Sequence, residues 1–468
     1  MNVVSASGVR LQVKTGAWFD ERSEALAVPT CEKTREFVSS EPEECPGSDR
    51  RRWFRGLDRQ RLEALQLERL NELLARSIRD QPLYRERLQD LLLPLNQLSQ
   101  LSELPFLTKP DLLPGIPARI CGLPREQYRR AHQTSGTTGN PILVLDTEED
   151  WRWWIETWQY VLDAAKVTAA DTAFMAFSYG PFIGFWSAHE SLVARGALVV
   201  PGGGMTSLAR LHALLACDAT VLCCTPTYAL HLATVARKSD IDLSKSKVSR
   251  IIVAGEAGGS IPEVRERIEK AWGARVVDHC GATEVGPWGV GDEAGTGIHV
   301  IESEFIAECL VFDELAPKGR QAASGELAEL VLTGLGRYGA PAIRYRTGDL
   351  VRAEPSPYAE NRFLFLRGGV IGRVDDMIVI RGVNVFPSSV EAIMRRVSGD
   401  AEYRVYRTRH EEMEQLRIEV EGDVATAARL HDAFREQLGL RIDVTSVDEG
   451  TLPRFEGKAR RWGQVINR

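Results

Sequence analysis

Apolar and polar positions follow a regular order through the middle of the chain. Short apolar runs typical of buried strands lie at 172–177, 197–201, 219–223, 250–254 and 275–278. Between them, apolar residues recur at helical spacing, at 184–195, 206–216, 226–237 and 261–272. Strands that alternate with helices predict a mainly parallel sheet with helices on its faces.

Helical spacing is also present before this region. Leucines recur from residue 62 to residue 74 in a helix that Asp58 is suited to cap and that Pro82 ends. Residues 150–165 predict a second helix, which carries Trp151, Trp153, Trp154 and Trp158. We interpret these tryptophans as core or interface residues of a helix packed on the sheet, and a role in ligand binding is the alternative.

The last third of the chain has a different pattern. Residues 300–370 contain shorter strand-like runs, which indicate an antiparallel, β-rich subdomain. From residue 372 the pattern predicts a strand, a helix at 388–397, strands at 402–408 and 414–420, a helix at 424–437 and a strand at 441–447. We therefore expect an α/β fold in which residues 51–371 form a large N-terminal domain and residues 372–468 a small, mobile α+β domain. Residues 1–50 lack a sustained period and predict a poorly ordered extension or cap.

Composition limits the possible functions. A chain of 468 residues with 44% hydrophobic and 26% charged residues is long enough for a large core and for more than one domain. A net charge of −7 without a run of basic residues argues against a nucleic-acid partner. No apolar run is long enough to cross a bilayer, and the N-terminus lacks the pattern of a signal peptide, so we expect a soluble, cytoplasmic protein.

The cysteines do not indicate a disulfide framework or a cysteine zinc cluster. Eight are present, without a repeated spacing and without a C-x-x-C pair. The adjacent Cys223 and Cys224 lie in an apolar run, and we predict that both are buried thiols of a strand.

A short polar loop, Thr-Ser-Gly-Thr-Thr-Gly-Asn-Pro at 134–141, is the strongest candidate for chemistry. Its glycines would let the backbone approach an anion, and its hydroxyls would add donors, so it suits a phosphate group. A Ser/Thr/Gly turn between two strands is the alternative. No lysine follows the second glycine, so a phosphate here would need positive charge from elsewhere in the chain.

Further motifs follow this loop or precede it in a fixed order. They are Leu-Gln-Leu-Glu-Arg-Leu at 65–70, Leu-Pro-Phe-Leu-Thr-Lys at 104–109, Tyr-Arg-Thr-Gly-Asp-Leu at 345–350 and Arg-Gly-Val-Asn-Val-Phe-Pro at 381–387. Together they resemble the motifs of adenylate-forming enzymes (acyl-CoA synthetases, nonribosomal adenylation domains and luciferases). The similarity is greatest to the phenylacetate–CoA ligase branch and extends from about residue 57 to the C-terminus.

This resemblance implies a two-step reaction. A carboxylate attacks the α-phosphate of ATP to give acyl-AMP and pyrophosphate, and the thiol of coenzyme A then displaces AMP. The enzyme must offset charge on the transferring phosphate and hold the carboxylate in line with it. ATP, Mg²⁺, coenzyme A and a small carboxylic acid are therefore the expected ligands.

The resemblance also implies the phosphate and metal contacts. The β- and γ-phosphates would lie against Ser135, Gly136, Thr137, Thr138 and Gly139. Thr283 would bond the α-phosphate, and Glu284 would hold Mg²⁺. Lys458 is similar to a mobile lysine that bridges the carboxylate and the α-phosphate, and Asp375 matches the hinge about which the C-terminal domain rotates. Plainer alternatives are a helix-start carboxylate for Glu284 and a solvated basic tail for Lys458.

The nucleoside contacts are implied in the same way. Asp349 would accept hydrogen bonds from both ribose hydroxyls, with Arg373 beside it, although Asp349 could also be a turn aspartate. The adenine site would be formed by two segments, Gly255, Glu256 and Ala257 with Cys280, Gly281 and Ala282.

Three positions depart from the family pattern. Asn140 stands where a lysine is usual, and Cys280 stands where an aromatic residue commonly stacks on adenine. Many members of this branch have a zinc site of cysteines and a histidine. Here His299 remains, but the segments 291–293 and 355–359 lack cysteine, so we predict no zinc. We interpret His189, His231 and His299 as structural.

The acyl pocket that the resemblance implies is aromatic and has no lysine or arginine. Its residues are Tyr179, Phe182, Phe185, Trp186 and Trp288, which favour an aromatic or apolar monocarboxylic acid. Transfer of the acyl group to a carrier-protein thiol or an amine is an alternative, and a non-catalytic nucleotide-binding relative is another. The sequence leaves open whether the chain forms a homodimer.

Overall fold

A computed structural model describes residues 47–113, 117–134, 141–177, 180–380, 383–410, 413–454 and 461–467. The helices of these residues are α1 (Ser48–Gly56), α2 (Arg59–Asp80), α3 (Pro82–Arg87), α4 (Lys109–Leu112), α5 (Glu148–Ala164), α6 (Ile183–Arg195), α7 (Ser207–Ala216), α8 (Pro226–Lys238), α9 (Pro262–Trp272), α10 (Pro387–Ser398) and α11 (Val424–Leu438). Short 3₁₀ helices lie at Leu98–Glu103, Arg125–Gln127 and Leu243–Lys245.

The strands of the large domain are β1 (Tyr128–Gln133), β2 (Leu143–Thr147), β3 (Thr172–Met175), β4 (Leu198–Pro201), β5 (Val221–Cys224), β6 (Arg250–Ala254), β7 (Arg275–Ala282), β8 (Gly286–Gly291), β9 (Gly297–Val300), β10 (Phe305–Val311), β11 (Arg320–Gln321), β12 (Leu327–Gly334), β13 (Tyr345–Glu354) and β14 (Phe365–Arg367). They are followed by β15 (Gly372–Arg373), β16 (Ile378–Ile380), β17 (Val383–Val385), β18 (Tyr403–His410), β19 (Met413–Glu421), β20 (Asp443–Val447) and β21 (Trp462–Asn467).

The N-terminal helices form as their sequence patterns predict. The Asp58 side chain caps α2 by accepting the Arg61 N–H at 2.9 Å. The α2 leucines that face the core are buried, and so are all four tryptophans of α5. The tryptophans therefore belong to the core, as interpreted. Residues 1–46 lie outside the described part, whereas residues 48–50 of the predicted extension already belong to α1.

A single sheet of thirteen strands organises the large domain, in the order β11-β10-β12-β13-β14-β9-β8-β7-β6-β5-β3-β4, with β15 beside β13. Neighbouring strands among β3 to β7 are parallel, which confirms the predicted alternation of strands and helices. From the β7–β8 pair onward the pairing is antiparallel, as expected for the β-rich subdomain. The structure adds that the two parts share one continuous sheet.

Strands β1 and β2 form a separate antiparallel hairpin. The polar loop connects them, because β1 ends at Gln133 and β2 begins at Leu143, and these two residues are cross-strand partners. At the base of the loop the Thr134 N–H donates to the Ile142 carbonyl at 3.0 Å, and the Ile142 N–H donates to the Thr134 hydroxyl at 3.0 Å. Residues 135–140 lie outside the described part of the chain.

The C-terminal region has its own sheet and core. Strands β20-β19-β18-β21 form a four-stranded sheet, and β16 pairs with β17. Helices α10 and α11 pack on that sheet through buried residues that include Val390, Ile393, Val405, Leu430 and Phe434. The predicted order of strands and helices is confirmed, whereas β21 was not predicted.

Two smaller expectations can be compared with the structure. Cys223 and Cys224 are buried in β5, and burial raises the pKa of the Cys223 thiol to about 12. Of the helices in the described ranges, none is long and apolar enough to cross a membrane.

Candidate active site

The turn between β7 and β8 lies where the main sheet changes from parallel to antiparallel pairing. It carries Thr283 and Glu284, and it is closed by the Val285 N–H, which donates to the Ala282 carbonyl at 3.1 Å. The Glu284 side chain is buried, and its Oε1 atom accepts the Tyr345 hydroxyl at 3.3 Å. Ligands of open sheets bind beyond the carboxyl ends of parallel strands, and this turn follows such an end.

Asp349 lies on β13 directly across from Arg373 on β15. The Arg373 Nη1 atom is 2.9 Å from the Asp349 Oδ1 atom. Burial raises the pKa of Asp349 to about 6, with Arg373 acting in the opposite direction and the Glu284 charge adding to the rise. The two carboxyl groups that the sequence predicts for ribose and Mg²⁺ are therefore close enough to influence each other.

Arg373 is held between two carboxylates. Its Nε atom also lies 2.9 Å from the Asp375 Oδ1 atom, so the predicted hinge residue is hydrogen-bonded to the arginine that is predicted for the ribose site. Gly348 permits this arrangement, since its φ is 75° and a Cβ atom there would lie 3.0 Å from the Arg373 Nη2 atom.

The two predicted adenine segments are neighbours. Strands β6 and β7 are parallel, and Ala254 lies opposite His279. The next residues, Gly255 and Cys280, therefore lie at the same edge of the sheet. The Glu256 carboxylate accepts the Thr227 N–H at 2.8 Å, which ties the first segment to the start of α8. Burial raises the pKa of the Cys280 thiol well above its ordinary value, so this thiol is neutral.

Two further buried groups support the β7 edge. Burial raises the pKa of Asp278 to about 6, and the Ser260 hydroxyl donates to its Oδ2 atom at 2.6 Å. Burial lowers the pKa of His279 to about 4, and its Nδ1 atom lies 2.8 Å from the Gly289 carbonyl. The His279 ring also meets Trp158 edge-on, with 5.1 Å between the ring centroids. His279 is therefore a neutral ring that links β7, β8 and α5.

The predicted acyl-pocket residues are found on two elements. Phe182, Phe185 and Trp186 lie at the start of α6, and the Gln133 N–H at the end of β1 donates to the Pro181 carbonyl at 2.7 Å just before that helix. Phe182 is 44% exposed, whereas Phe185 is buried. Trp288 lies on β8 and is only 1% exposed.

Several predicted site residues lie outside the described part of the chain. They are Ser135, Gly136, Thr137, Thr138, Gly139, Tyr179 and Lys458, together with Asn140. Sequence reasoning missed Tyr345, although it quoted the motif containing it, and it missed Arg337, which has no local signal. The Arg337 Nη1 atom donates to the Thr283 carbonyl at 2.7 Å.

The segments around His299, where the resemblance to the family implies a zinc site in many members, carry a hydrogen-bonded cluster. The His299 Nε2 atom lies 3.0 Å from the Ser356 hydroxyl, and the Tyr358 hydroxyl donates to Asp292. Burial lowers the pKa of His299 to about 4. In the described ranges no three His, Cys, Asp or Glu side chains are grouped as metal ligands. The expected lack of zinc stays a prediction.

Comparison with known proteins places these features in a family. The family model for AMP-binding enzymes matches residues 132–304, and the model for the AMP-binding enzyme C-terminal domain matches residues 382–464. The phenylacetate-coenzyme A ligase of Thermus thermophilus is 31% identical over 440 residues, which cover 86% of this chain and 97% of that protein. The chain belongs to the phenylacetate–coenzyme A ligase family. As a member of this family it is an AMP-forming acid–thiol ligase, which uses ATP to activate a carboxylic acid and transfers the acyl group to coenzyme A.

A solved 2-hydroxyisobutyryl-CoA ligase gives a further comparison for this member of the family. In its postadenylation state with an acyl-AMP, that protein is 26% identical, covers 92% of this chain and 94% of its own, and has a TM-score of 0.81. In its thioesterification state with acyl-AMP and CoA, the identity is 26%, the coverage is 91% and 94%, and the TM-score is 0.66. The overall arrangement here is therefore more similar to the postadenylation state.

Proposed function

We propose that this ligase activates an aromatic or apolar monocarboxylic acid. The observation that carries the proposal is the aromatic start of α6 beside the base of the polar loop, where the Gln133 N–H bonds to the Pro181 carbonyl. The sequence from 180 to 189 contains neither lysine nor arginine, so a second carboxylate on the substrate would lack a partner there. The relative from Thermus thermophilus, named for phenylacetate, supports the same class of acid.

In this proposal the nucleotide binds along the edge formed by the β7–β8 turn, Asp349 and Arg373. Asp349 accepts the ribose hydroxyls, Thr283 contacts the α-phosphate and the 134–140 loop contacts the other phosphates. Lys458 supplies positive charge to the α-phosphate and the attacking carboxylate, and Asp375 acts as the hinge. Tyr345 lies on the same strand as Asp349, and its hydroxyl donates to the Glu284 Oε1 atom at 3.3 Å, which supports one shared nucleotide site.

Glu284 suits a magnesium ion. Mg²⁺ is commonly held by one or two carboxylates together with substrate phosphates and water. The Glu284 carboxylate is buried at the turn, and its Oε1 atom is oriented by the Tyr345 hydroxyl. Bound there, the ion would offset the charge of the phosphates.

ATP–pyrophosphate exchange tests this function. The purified protein is assayed with a panel of aromatic, aliphatic, dicarboxylic and strongly polar acids, and then with coenzyme A added. We expect exchange with aromatic or apolar monocarboxylic acids and formation of a thioester with coenzyme A. Exchange with only dicarboxylic or polar acids would contradict the substrate class.

Two variants test the proposed roles. Lys458→Ala is expected to lower the exchange rate by about two orders of magnitude, because charge stabilisation at the reacting phosphate is lost. Lys318→Ala, which removes an exposed lysine of the large domain, is the matched control and should keep the wild-type rate. Equal exchange rates in the two variants would contradict the role of Lys458.

Three narrower points belong to the proposal. We expect the reaction in the cytoplasm, where ATP and coenzyme A are available.

A carrier protein is the alternative acceptor to coenzyme A, and formation of acyl-AMP without a product on addition of coenzyme A would support that alternative. Light scattering of the purified protein tests whether it is a homodimer.

A further inference from the structure

One buried arginine connects the two walls of the nucleotide site. Arg337 lies on the segment between β12 and β13, and its side chain is 1% exposed. Its Nε atom donates to the Asp146 Oδ1 atom at 2.7 Å, and its Nη1 atom donates to the Thr283 carbonyl at 2.7 Å. Asp146 lies on β2, the strand that leaves the polar loop, and Thr283 lies on the β7–β8 turn. One guanidinium therefore holds two segments that belong to different sheets.

The connection is strong because it is buried and charged. The Asp146 side chain is fully buried, and burial alone would raise its pKa, but the Arg337 guanidinium and the His132 side chain together outweigh this effect and lower the pKa below its ordinary value. The planar guanidinium group of arginine can donate to the carboxylate and to a carbonyl at the same time, and the ammonium group of lysine cannot do so with the same geometry. The guanidinium also lies over the Trp154 ring, 5.1 Å from its centroid.

The segment that presents Arg337 is itself fixed. The Asp150 Oδ1 atom accepts the Tyr338 N–H at 2.7 Å and the Gly339 N–H at 3.0 Å. The Tyr128 hydroxyl donates to the Gly339 carbonyl at 2.8 Å. Arg337 therefore projects from a rigid base, so its two contacts set the distance between the hairpin and the turn.

We propose that Arg337 is a positioning residue that sets the β1–β2 hairpin, which carries the polar loop, against the Thr283–Glu284 turn, through Asp146 on one side and the Thr283 carbonyl on the other. The inference rests on the proposed function, in which the loop holds the departing pyrophosphate and the turn contacts the α-phosphate. Adenylation needs the loop and the turn at the correct distance from each other, whereas thioester formation from acyl-AMP takes place after pyrophosphate has left. A change in this distance should therefore slow the first step more than the second.

The test is Arg337→Lys, which keeps the positive charge beside Asp146 but loses the planar guanidinium group. Two rates are measured for the full-length protein: acyl-AMP formation from ATP and acid, and thioester formation from prepared acyl-AMP and coenzyme A. We expect acyl-AMP formation to fall at least tenfold and thioester formation to change by less than about twofold. Arg337→Met combined with Asp146→Asn removes both charges and keeps the test open if the lysine variant does not fold.

Arg344→Lys is the matched control. Arg344 is a buried arginine of the same segment, and its side chain pairs with Glu308 at 2.7 Å and donates to the Ser102 carbonyl at 2.9 Å. Its lysine variant should leave the ratio of the two rates unchanged. Equal loss of both rates in Arg337→Lys, or no loss in either, would overturn the positioning role. Failure of the proposed substrate class is recognised separately, because the wild-type protein would then form acyl-AMP only from dicarboxylic or polar acids.

Discussion

Arg373 and Asp349 face each other across adjacent antiparallel strands, with 2.9 Å between the Arg373 Nη1 atom and the Asp349 Oδ1 atom. Because Arg373 is the cation that opposes the effect of burial on Asp349, its removal should raise the pKa of that carboxyl further. We predict that Arg373→Ala weakens AMP binding at pH 7 by about tenfold, as measured by calorimetry. Arg367→Ala removes an exposed arginine of the same subdomain, paired with Glu354 at 2.6 Å, and should leave AMP binding unchanged. Unaltered binding by Arg373→Ala would show that this pair does not face the nucleotide.

The same carboxyl predicts a pH dependence. Asp349 accepts ribose hydroxyls as a carboxylate, and its pKa in the folded protein is about 6. Below that pH, the affinity for adenosine, which unlike AMP has no phosphate that titrates in this range, should fall by up to about tenfold per pH unit, and calorimetry between pH 5 and pH 8 checks this. Asp278 has a pKa in the same range, so Asp278→Asn is the control. If the pH step disappears in that variant, Asp278 and not Asp349 controls binding.

The effect of Asp349 on stability has the opposite direction. Its pKa is raised from 3.8 to about 6 on folding, so between these values the folded state holds a proton that the unfolded state has lost. The contribution of this group to the free energy of unfolding is therefore greatest below pH 4 and is lost as the pH rises through 6. Urea unfolding at pH 4.5 and pH 7 should give Asp349→Asn a smaller change with pH than the wild type.

Asp150 predicts a large loss of stability. This buried carboxylate accepts the Thr147 N–H at the start of α5 and the Tyr338 and Gly339 N–H groups of the segment before β13. Asp150→Ala should lower the free energy of unfolding by about 3 kcal/mol, because several buried donors lose their acceptor. Asp423→Ala removes the exposed cap of α11 and should cost only about 1 kcal/mol. Similar losses in the two variants, measured by urea unfolding, would contradict the inference that Asp150 holds the start of α5 to the segment before β13.

Ion pairs between the large domain and the C-terminal domain predict an effect on the relative rates of acyl-AMP formation and thioester formation. Asp400 follows α10 and pairs with Arg267 of α9 and with Arg237 of α8. Glu263 of α9 pairs with Arg396 of α10 at 3.6 Å. Since this arrangement is similar to the postadenylation state of the 2-hydroxyisobutyryl-CoA ligase, these pairs should favour it.

Asp400→Asn should therefore speed thioester formation relative to acyl-AMP formation by up to about threefold, because the arrangement similar to the postadenylation state loses support and ion pairs at a partly exposed surface contribute modestly. Raised salt should give the wild type a similar change in single-turnover rates. Glu326→Gln breaks an exposed pair with Arg320 within the large domain and serves as the control. An unchanged ratio of the two rates in Asp400→Asn would exclude this role.

The sequence was sufficient for the elements whose signals are local. The strand–helix alternation, the cap at Asp58 and the buried α5 tryptophans all follow from apolar spacing and capping chemistry, and the structure confirms them. The Asp349–Arg373 pairing was predicted only as a shared site, because a contact between strands depends on register. The order of the motifs was enough to identify the family, which the similarity to phenylacetate-coenzyme A ligases confirms.

Contacts between distant segments could not be predicted in this way. Arg337 and Asp146 are 191 residues apart, and neither stands in a pattern that marks it as buried or paired. The Glu256 carboxylate appeared to belong to the adenine segment, but its bond to the Thr227 N–H depends on the placement of α8. The main sheet is continuous because β14 pairs with β9. This strand has only 3 residues, which are too few to predict its partner from the sequence.

The β1–β2 hairpin has a consequence for the response to heat. A ribbon of two strands is marginally stable alone, so this hairpin depends on side-chain contacts such as Arg337–Asp146 and not on a place in the main sheet. Warming should release the ribbon before the thirteen-stranded sheet melts. We therefore expect thermal inactivation of ATP turnover at a lower temperature than calorimetric unfolding, with the lost activity returning on cooling.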